Sequence, residues 1–171
     1  MISLKLAALG LTTSALVAAS LVRFGLSARG FVAAFVVAVL VVLAAIDIEQ
    51  RIIPNRIVLP AAIAVLVARI AISPGRTAEW VGAALGVSAF LLLVHVVSPA
   101  GMGMGDVKLA FLVGAGLGRY AVVGLVVGLF AAAAVALVLL AREGLAARKR
   151  TMPLGPFLAL GAVVALFLNA P

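Results

Sequence analysis

The chain has 171 residues, of which 67% are hydrophobic and 11% charged, and its mean hydropathy is +1.39. A water-soluble fold cannot cover this composition with a polar surface, so the chain is predicted to be an integral membrane protein. The net charge of +8 indicates orientation signals and contact with anionic lipid in a membrane protein, rather than binding to nucleic acid. Because the chain contains no cysteine, disulfides and Cys-based zinc sites are excluded.

Seven continuous apolar segments, separated by charged residues, glycine or proline, are predicted to be membrane-spanning helices. They lie near residues 4–22, 30–47, 56–72, 80–98, 107–118, 120–141 and 153–169. The predicted fold is therefore all-α, a polytopic transmembrane helical bundle of six or seven spans in a single membrane domain over residues 1–171. The first segment also resembles a signal peptide, with Lys5 before its apolar stretch. We expect it to be retained as an extra N-terminal span ahead of a core from about 30 to 169.

The fifth segment, "VKLAFLVGAGLG", is too short to cross a bilayer of about 30 Å as a regular helix. It is predicted to tilt, to thin the membrane locally, or to form a half-helix packed inside the bundle. Its glycines at 114, 116 and 118 are expected to allow close approach of neighbouring helices.

Basic residues near the span ends favour a cytoplasmic N-terminus. The strongest signal is the basic loop "REGLAARKR" at 142–150, which also places residues 47–56 and 98–108 on the cytoplasmic face. Trp80, at the start of a span, is predicted to be an interfacial anchor. Pro54 and Asn55 are expected to set the start of the third span.

Of the five acidic residues, two stand where a span meets the membrane surface. Asp47 ends the apolar run "FVAAFVVAVLVVLAAI", and Asp106 opens the fifth segment after "GMGMG", where it is placed to cap a helix. Ionisable groups at membrane depth are costly and mark functional sites. Since both carboxyl groups fall on one face, each is predicted to be the other's partner. Glu79 and Glu143 lie beside arginines and are predicted to be solvated charges at helix ends.

A pair of carboxyl groups at one membrane face admits general acid/base activation of water, proton or cation transport, or metal binding. A metal site would recruit more ligands, and His95, the only histidine, is predicted to be packed or interfacial. A carrier would place its acids near the midplane, in discontinuous helices or repeats. For catalysis, helix polarity favours Asp106 at a helix N-terminus as the base and Asp47 at a helix C-terminus as the acid.

Three motifs resemble the type IV prepilin peptidases, a family of GxGD membrane aspartic proteases. "GMGD" at 103–106 is similar to the GxGD motif, and "IDIEQRIIPNRIVLP" at 46–60 is similar to the first aspartate motif. "MPLGPFLALGA" at 152–162 is similar to the start of the family's last span. GxGD alone is weak, but three motifs in the right order on compatible faces are specific.

The resemblance implies an aspartic endopeptidase that removes the basic leader from prepilin-like substrates. Asp47 and Asp106 carry over as the catalytic pair, at the cytoplasmic face of a bacterial inner or plasma membrane. No metal or other cofactor is implied. The chain resembles short members without the cysteine-rich region that accompanies N-methylation, so N-methyltransferase activity is not expected. The alternatives are a small proton-coupled transporter or a structural membrane subunit.

Four further residues belong to the predicted site. Gly103 and Gly105 give a substrate strand room to approach Asp106. Lys108 is expected to stabilise that carboxylate or to contact lipid phosphate. Glu49 either meets basic leader residues or is a solvated charge. The sequence does not predict the substrate or the oligomeric state.

Overall fold

The computed structural model describes residues 2–99, 101–143 and 152–168, with side chains from residue 7 onward. Most of the basic loop at 142–150, from residue 144, lies outside the described residues, as do the side chain of Lys5 and the last residue of the seventh predicted span. The orientation signal that this loop supplies therefore remains a prediction.

The described chain folds into seven α-helices joined by short turns. Their bounds are α1 Ile2–Phe24, α2 Ala28–Gln50, α3 Asn55–Ile72, α4 Thr77–Val97, α5 Met104–Leu117, α6 Ala121–Glu143 and α7 Gly155–Leu168. Single 3₁₀ turns, Pro74–Arg76 and Gly118–Tyr120, precede α4 and α6. The seven predicted segments correspond to these helices in order. The seventh begins later than predicted, at Gly155.

Among the described residues, five helical stretches are long and apolar enough to cross a membrane, and α7 is a shorter apolar helix. The fifth stretch joins α5 and α6 through the 3₁₀ turn. Large apolar side chains face outward along the helices, for example Ile63 at 61% and Phe130 at 73% exposed. Such a surface is covered by lipid, not water. The predicted polytopic helical membrane bundle is confirmed.

The short helix α5 lies at the centre of the bundle. Its 14 residues, at about 1.5 Å per residue, reach only about 21 Å. Nearly every residue from Asp106 to Leu117 is buried, because α3, α4, α2, α6 and α7 all pack against this helix. The structure therefore confirms a short helix packed inside the bundle, while tilt and local thinning of the membrane stay predictions.

Two glycines of α5 allow this close packing. A side chain at Gly114 would overlap the backbone of Ala84 in α4, so the two helices meet backbone to backbone. Gly116 lies against the Val36 side chain of α2, within 3.0 Å of where a methyl group would stand. Both contacts are those predicted from the small residues of the fifth segment.

The carboxyl end of α5 rests on a cluster around Trp80. Gly118 has a positive φ of 58°, and a Cβ there would lie 2.6 Å from the Trp80 ring. Trp80 is 1% exposed, with the guanidinium groups of Arg69 and Arg76 at 4.9 Å and 4.7 Å from its ring centre. Glu79 accepts hydrogen bonds from Arg76 at 2.8 and 2.9 Å. The prediction that Trp80 is an interfacial anchor was wrong, because the indole is buried between two cations.

The close packing of α4 on α5 is expected to contribute to the stability of the protein. Gly114→Ala should lower the free energy of unfolding by about 1–3 kcal/mol, because the added methyl group forces two helix backbones apart. Gly86→Ala is the matched control, since a Cβ at Gly86 in α4 meets nothing within 4 Å. That variant should be as stable as the wild type or slightly more so, since alanine favours helix. Thermal unfolding in detergent measures both, and equal midpoints for the two variants would contradict the packing argument.

Candidate functional site

One cavity of about 290 Å³ opens at the end of the bundle where α2 finishes and α5 begins. The turn between α2 and α3 forms one wall, and the first residues of α5 form the other. Both Asp47 and Asp106 line this cavity. The two carboxyl groups, 59 positions apart in the chain by their numbers, are therefore brought to the same place.

Asp47 lies in the last turn of α2, as predicted, and is 5% exposed. Its backbone carbonyl accepts the N–H of Arg51 at 2.8 Å, which closes the helix. Its side-chain Oδ2 accepts the backbone N–H of Gly155 at 3.0 Å. Gly155 is the first residue of α7, so the amino end of the last helix meets the carboxyl group of Asp47.

Asp106 is the third residue of α5 and is 8% exposed. Its Oδ2 accepts the backbone N–H of Gly103 at 3.2 Å, and its own N–H donates to the Gly103 carbonyl at 3.1 Å. The predicted capping role is therefore refined. Asp106 caps from the third helical position and reaches back to the residue before the helix, as the acidic member of a capping box does.

The environments of the two aspartates are more alike than the sequence suggested. Each lies at the amino end of a helix, and each accepts one backbone amide from a glycine through Oδ2. Both carboxyl groups line the same cavity. Asp47 lies at the carboxyl end of α2 but also at the amino end of α7, so the two helix dipoles act on it in opposite directions. Helix polarity therefore does not indicate which aspartate is the base and which is the acid. Which aspartate is the base stays a prediction.

The rim of the cavity ties α5 to α3. Lys108 donates from Nζ to Oδ1 of Asn55 at 2.8 Å, and both residues line the cavity. Gly105 lies against Ile53 of the α2–α3 turn, where a Cβ would come within 2.9 Å of the isoleucine Cβ. The amino end of α5 is thus held close to this turn, which keeps Asp106 at the cavity wall.

The turn itself has a strained residue beside Asp47. Arg51 adopts a left-handed conformation, with φ 55° and ψ 36°, and is the one non-glycine residue with a positive φ in the described part of the chain. Such a conformation costs roughly 1 kcal/mol or more and persists where the surroundings demand it. Here it ends α2 and begins the turn, Arg51 to Ile53, that lines the cavity.

His95 in α4 has a structural contact rather than a place in the cavity lining. Its Nδ1 lies 2.7 Å from the carbonyl oxygen of Met102, and since a carbonyl only accepts, the ring nitrogen donates. In the same interface the Ser88 hydroxyl donates to the Val107 carbonyl at 3.1 Å. These two bonds hold the glycine-rich turn and the start of α5 against α4, consistent with the prediction of a packed histidine.

Of the residues predicted from sequence, Asp47, Asp106, Gly103, Gly105 and Lys108 line the cavity. Glu49 is exposed on the last turn of α2 and is not among the lining residues.

Sequence reasoning missed two residues. Asn55 begins α3 as expected but also binds Lys108, and Gly155 supplies a hydrogen bond to Asp47. The sequence did indicate that a helix begins near Gly155, because this glycine lies between Pro153 and Pro156 at the start of an apolar run. Nothing local indicated that this start meets Asp47.

These observations define a polytopic helical membrane protein with two carboxyl groups in one cavity at the end of its bundle. The model of the type IV leader peptidase family matches residues 33–141, which include both aspartates. The chain belongs to the type IV leader peptidase family.

A curated relative is the "Prepilin leader peptidase/N-methyltransferase" of Bacillus subtilis (strain 168), 32% identical over 164 residues. The alignment covers 91% of this chain but 62% of the relative, so the chain spans less than two thirds of the relative's length. No solved structure matches this chain.

The contact between Lys108 and Asn55 can be measured by a double-mutant cycle. Asn55→Ala and Lys108→Met should each lower stability slightly, and the double variant should lose less than the sum, with a coupling of about 0.5–1 kcal/mol for a partly solvated charged hydrogen bond. Thermal or chemical unfolding in detergent gives the three values. Strictly additive effects would show that the contact contributes nothing.

Proposed function

We propose that this protein is a membrane aspartic endopeptidase that removes the leader peptide from prepilin-like substrates. The observation that carries the proposal is the common cavity of Asp47 and Asp106. Two nearly buried carboxyl groups that interact are the arrangement by which aspartic proteases activate water. Membership of the leader peptidase family supports the same reaction class.

In the proposed mechanism, one aspartate acts as base and the other as acid. The ionised carboxyl group takes a proton from a water molecule in the cavity, and the water oxygen attacks the carbonyl carbon of the scissile peptide bond. The protonated carboxyl group donates its proton to the carbonyl oxygen. When the tetrahedral intermediate collapses, the C–N bond breaks, and the carboxyl group that took the proton from water gives it to the leaving nitrogen. The other carboxylate takes back a proton from a hydroxyl group of the intermediate, which restores the pair and releases a carboxylic acid product. Side chains move every proton, so the scheme calls for no cofactor.

The glycine amides support acid/base chemistry at both aspartates. Gly103 and Gly155 each bind Oδ2 of one aspartate, and none of the described hydrogen bonds uses Oδ1 of either residue. One oxygen of each carboxyl group is thus fixed by backbone, while the other remains for water or the peptide carbonyl. Geometry of this kind is the main requirement for acid/base catalysis.

The site lies at the end of the membrane-spanning bundle, which suits a substrate with a polar leader followed by an apolar helix. We propose that this end faces the cytoplasm of a bacterial cell and that the bundle lies in the inner or plasma membrane. The excess of basic residues in the loops of this face supports that orientation. We propose leader-peptide cleavage for this chain and assign it no N-methyltransferase activity.

The catalytic proposal is tested by co-expression with a prepilin-like substrate and detection of the shortened product. Asp47→Asn and Asp106→Asn should each reduce cleavage by at least about 100-fold, because each removes a group that moves a proton. Glu143→Gln, which removes an exposed carboxylate at the end of α6, is the control and should cleave like the wild type. Full processing by either aspartate variant would refute the catalytic pair, and a wild type that processes nothing would favour a transporter.

The proposed orientation is tested by labelling, since the chain has no native cysteine. Gln50→Cys lies at the exposed end of α2 beside the cavity, and Gly75→Cys lies in the exposed 3₁₀ turn before α4, at the opposite end of the bundle. In intact cells a membrane-impermeant maleimide should label the second variant and leave the first unlabelled until the membrane is opened. The reverse pattern would place the cavity on the outer face.

A further inference from the structure

The backbone N–H at the amino end of α7 binds the carboxyl group of Asp47. Asp47 is nearly buried, and a buried carboxyl group without a hydrogen-bond donor is costly. The donor that the structure supplies is the backbone N–H of Gly155, 3.0 Å from Oδ2. The first N–H groups of a helix have no partner within the helix, so this amide is free to serve another residue.

The contact leaves no room for a side chain. A Cβ on Gly155 would lie 2.6 Å from Oδ2 of Asp47 and 3.1 Å from its carboxyl carbon. Any other residue would therefore require the carboxyl group of Asp47 or the helix end to shift. Gly155 does not have a positive φ, because the positive-φ glycines of the described chain are Gly25 and Gly118. Glycine is therefore needed at this position for close approach to Asp47 and not for its backbone conformation.

The position of this amide is fixed by the packing of α7 on α6. A Cβ at Gly161 of α7 would overlap the backbone of Gly124 and Gly128 in α6. A Cβ at Gly128 would in turn lie 2.7 Å from the carbonyl oxygen of Phe157. The two helices therefore cross with their backbones in contact, and α7 presents its first amide to Asp47 from a rigid support.

We propose that Gly155 is a positioning residue for peptide cleavage, which holds the carboxyl group of Asp47 by its backbone N–H at the start of α7. This role rests on the proposed function of Asp47. The amide fixes one carboxyl oxygen and the side-chain torsions of Asp47, which leaves the second oxygen for the reacting groups. Asp106, Arg51 and Lys108 are the other charged groups that line the cavity, and none of them is replaced in the experiment.

The test compares Gly155→Ala with Gly86→Ala in the full-length protein, purified in detergent or nanodiscs. The first variant adds a methyl group against Asp47, and the second adds one where nothing lies within 4 Å. Gly155→Ala should lower kcat for leader cleavage roughly 10- to 100-fold, the range expected for losing a hydrogen bond to a charged group. KM should stay near the wild-type value, because the Gly155 N–H is already bonded to Oδ2 of Asp47. Gly86→Ala should match the wild type in both constants.

The outcomes separate the positioning role from the proposed function. A wild type that cleaves no prepilin-like substrate overturns the proposed function. A wild type that cleaves, together with a Gly155→Ala variant of equal kcat, overturns the positioning role alone. A rise in KM with kcat unchanged also overturns it, because the methyl group would then obstruct substrate rather than disturb Asp47.

A second measurement does not depend on whether Gly155→Ala folds. The full-length protein is labelled with ¹⁵N-glycine and with ¹³C-carbonyl leucine, which marks the five glycine amides that follow a leucine, at residues 10, 86, 118, 155 and 161. The Gly155 resonance is the one that loses its ¹³C coupling in Leu154→Met. At an alkaline pH, where both aspartates are ionised, Asp47→Asn should shift the Gly155 amide proton upfield, because a neutral amide oxygen is a weaker acceptor than a carboxylate. The Gly86 amide, which follows Leu85, serves as the internal control. A Gly155 resonance that ignores the substitution would show that the hydrogen bond does not form.

Discussion

A nearly buried carboxyl group needs a hydrogen-bond donor, and Asp47 takes its donor from a residue 108 positions further along the chain. This single bond requires the end of α2 and the start of α7 to meet at one membrane boundary. Asp106 at the start of α5 must arrive at the same place for the cavity to form. The carboxyl end of α2 and the amino ends of α5 and α7 thus meet at one place, and the packing of the bundle holds them there.

The short helix α5 is the central part of that arrangement. Its amino end is fixed to α4 by His95 and to α3 by Lys108, and its carboxyl end rests on Trp80. A helix that is too short to span the bilayer cannot be positioned by lipid alone, so protein contacts at both ends must hold it. The cation-stacked tryptophan, at the far end from the cavity, therefore helps to set where Asp106 lies.

Glycine backbone has two separate uses in this molecule. At Gly114, Gly161 and Gly128 it allows helices to touch, which is how membrane helices associate where the hydrophobic effect gives no drive. At Gly103 and Gly155 it offers N–H groups to carboxylates at helix starts. The second use depends on the first, because the amide of Gly155 reaches Asp47 only if α7 crosses α6 at close range.

The sequence by itself determined the helices, their order and the two acids at the membrane boundary, because a bilayer imposes length and hydropathy on each span separately. It also indicated that Asp47 and Asp106 share a face, since each crossing reverses the direction of the chain. Tertiary structure alone decided that Trp80 is buried, that Asn55 binds Lys108 and that the first residue of α7 contacts Asp47. Those facts depend on which helices are neighbours and on how each is rotated. Hydropathy carries no such information, because every side of a membrane helix is apolar whether it faces lipid or protein.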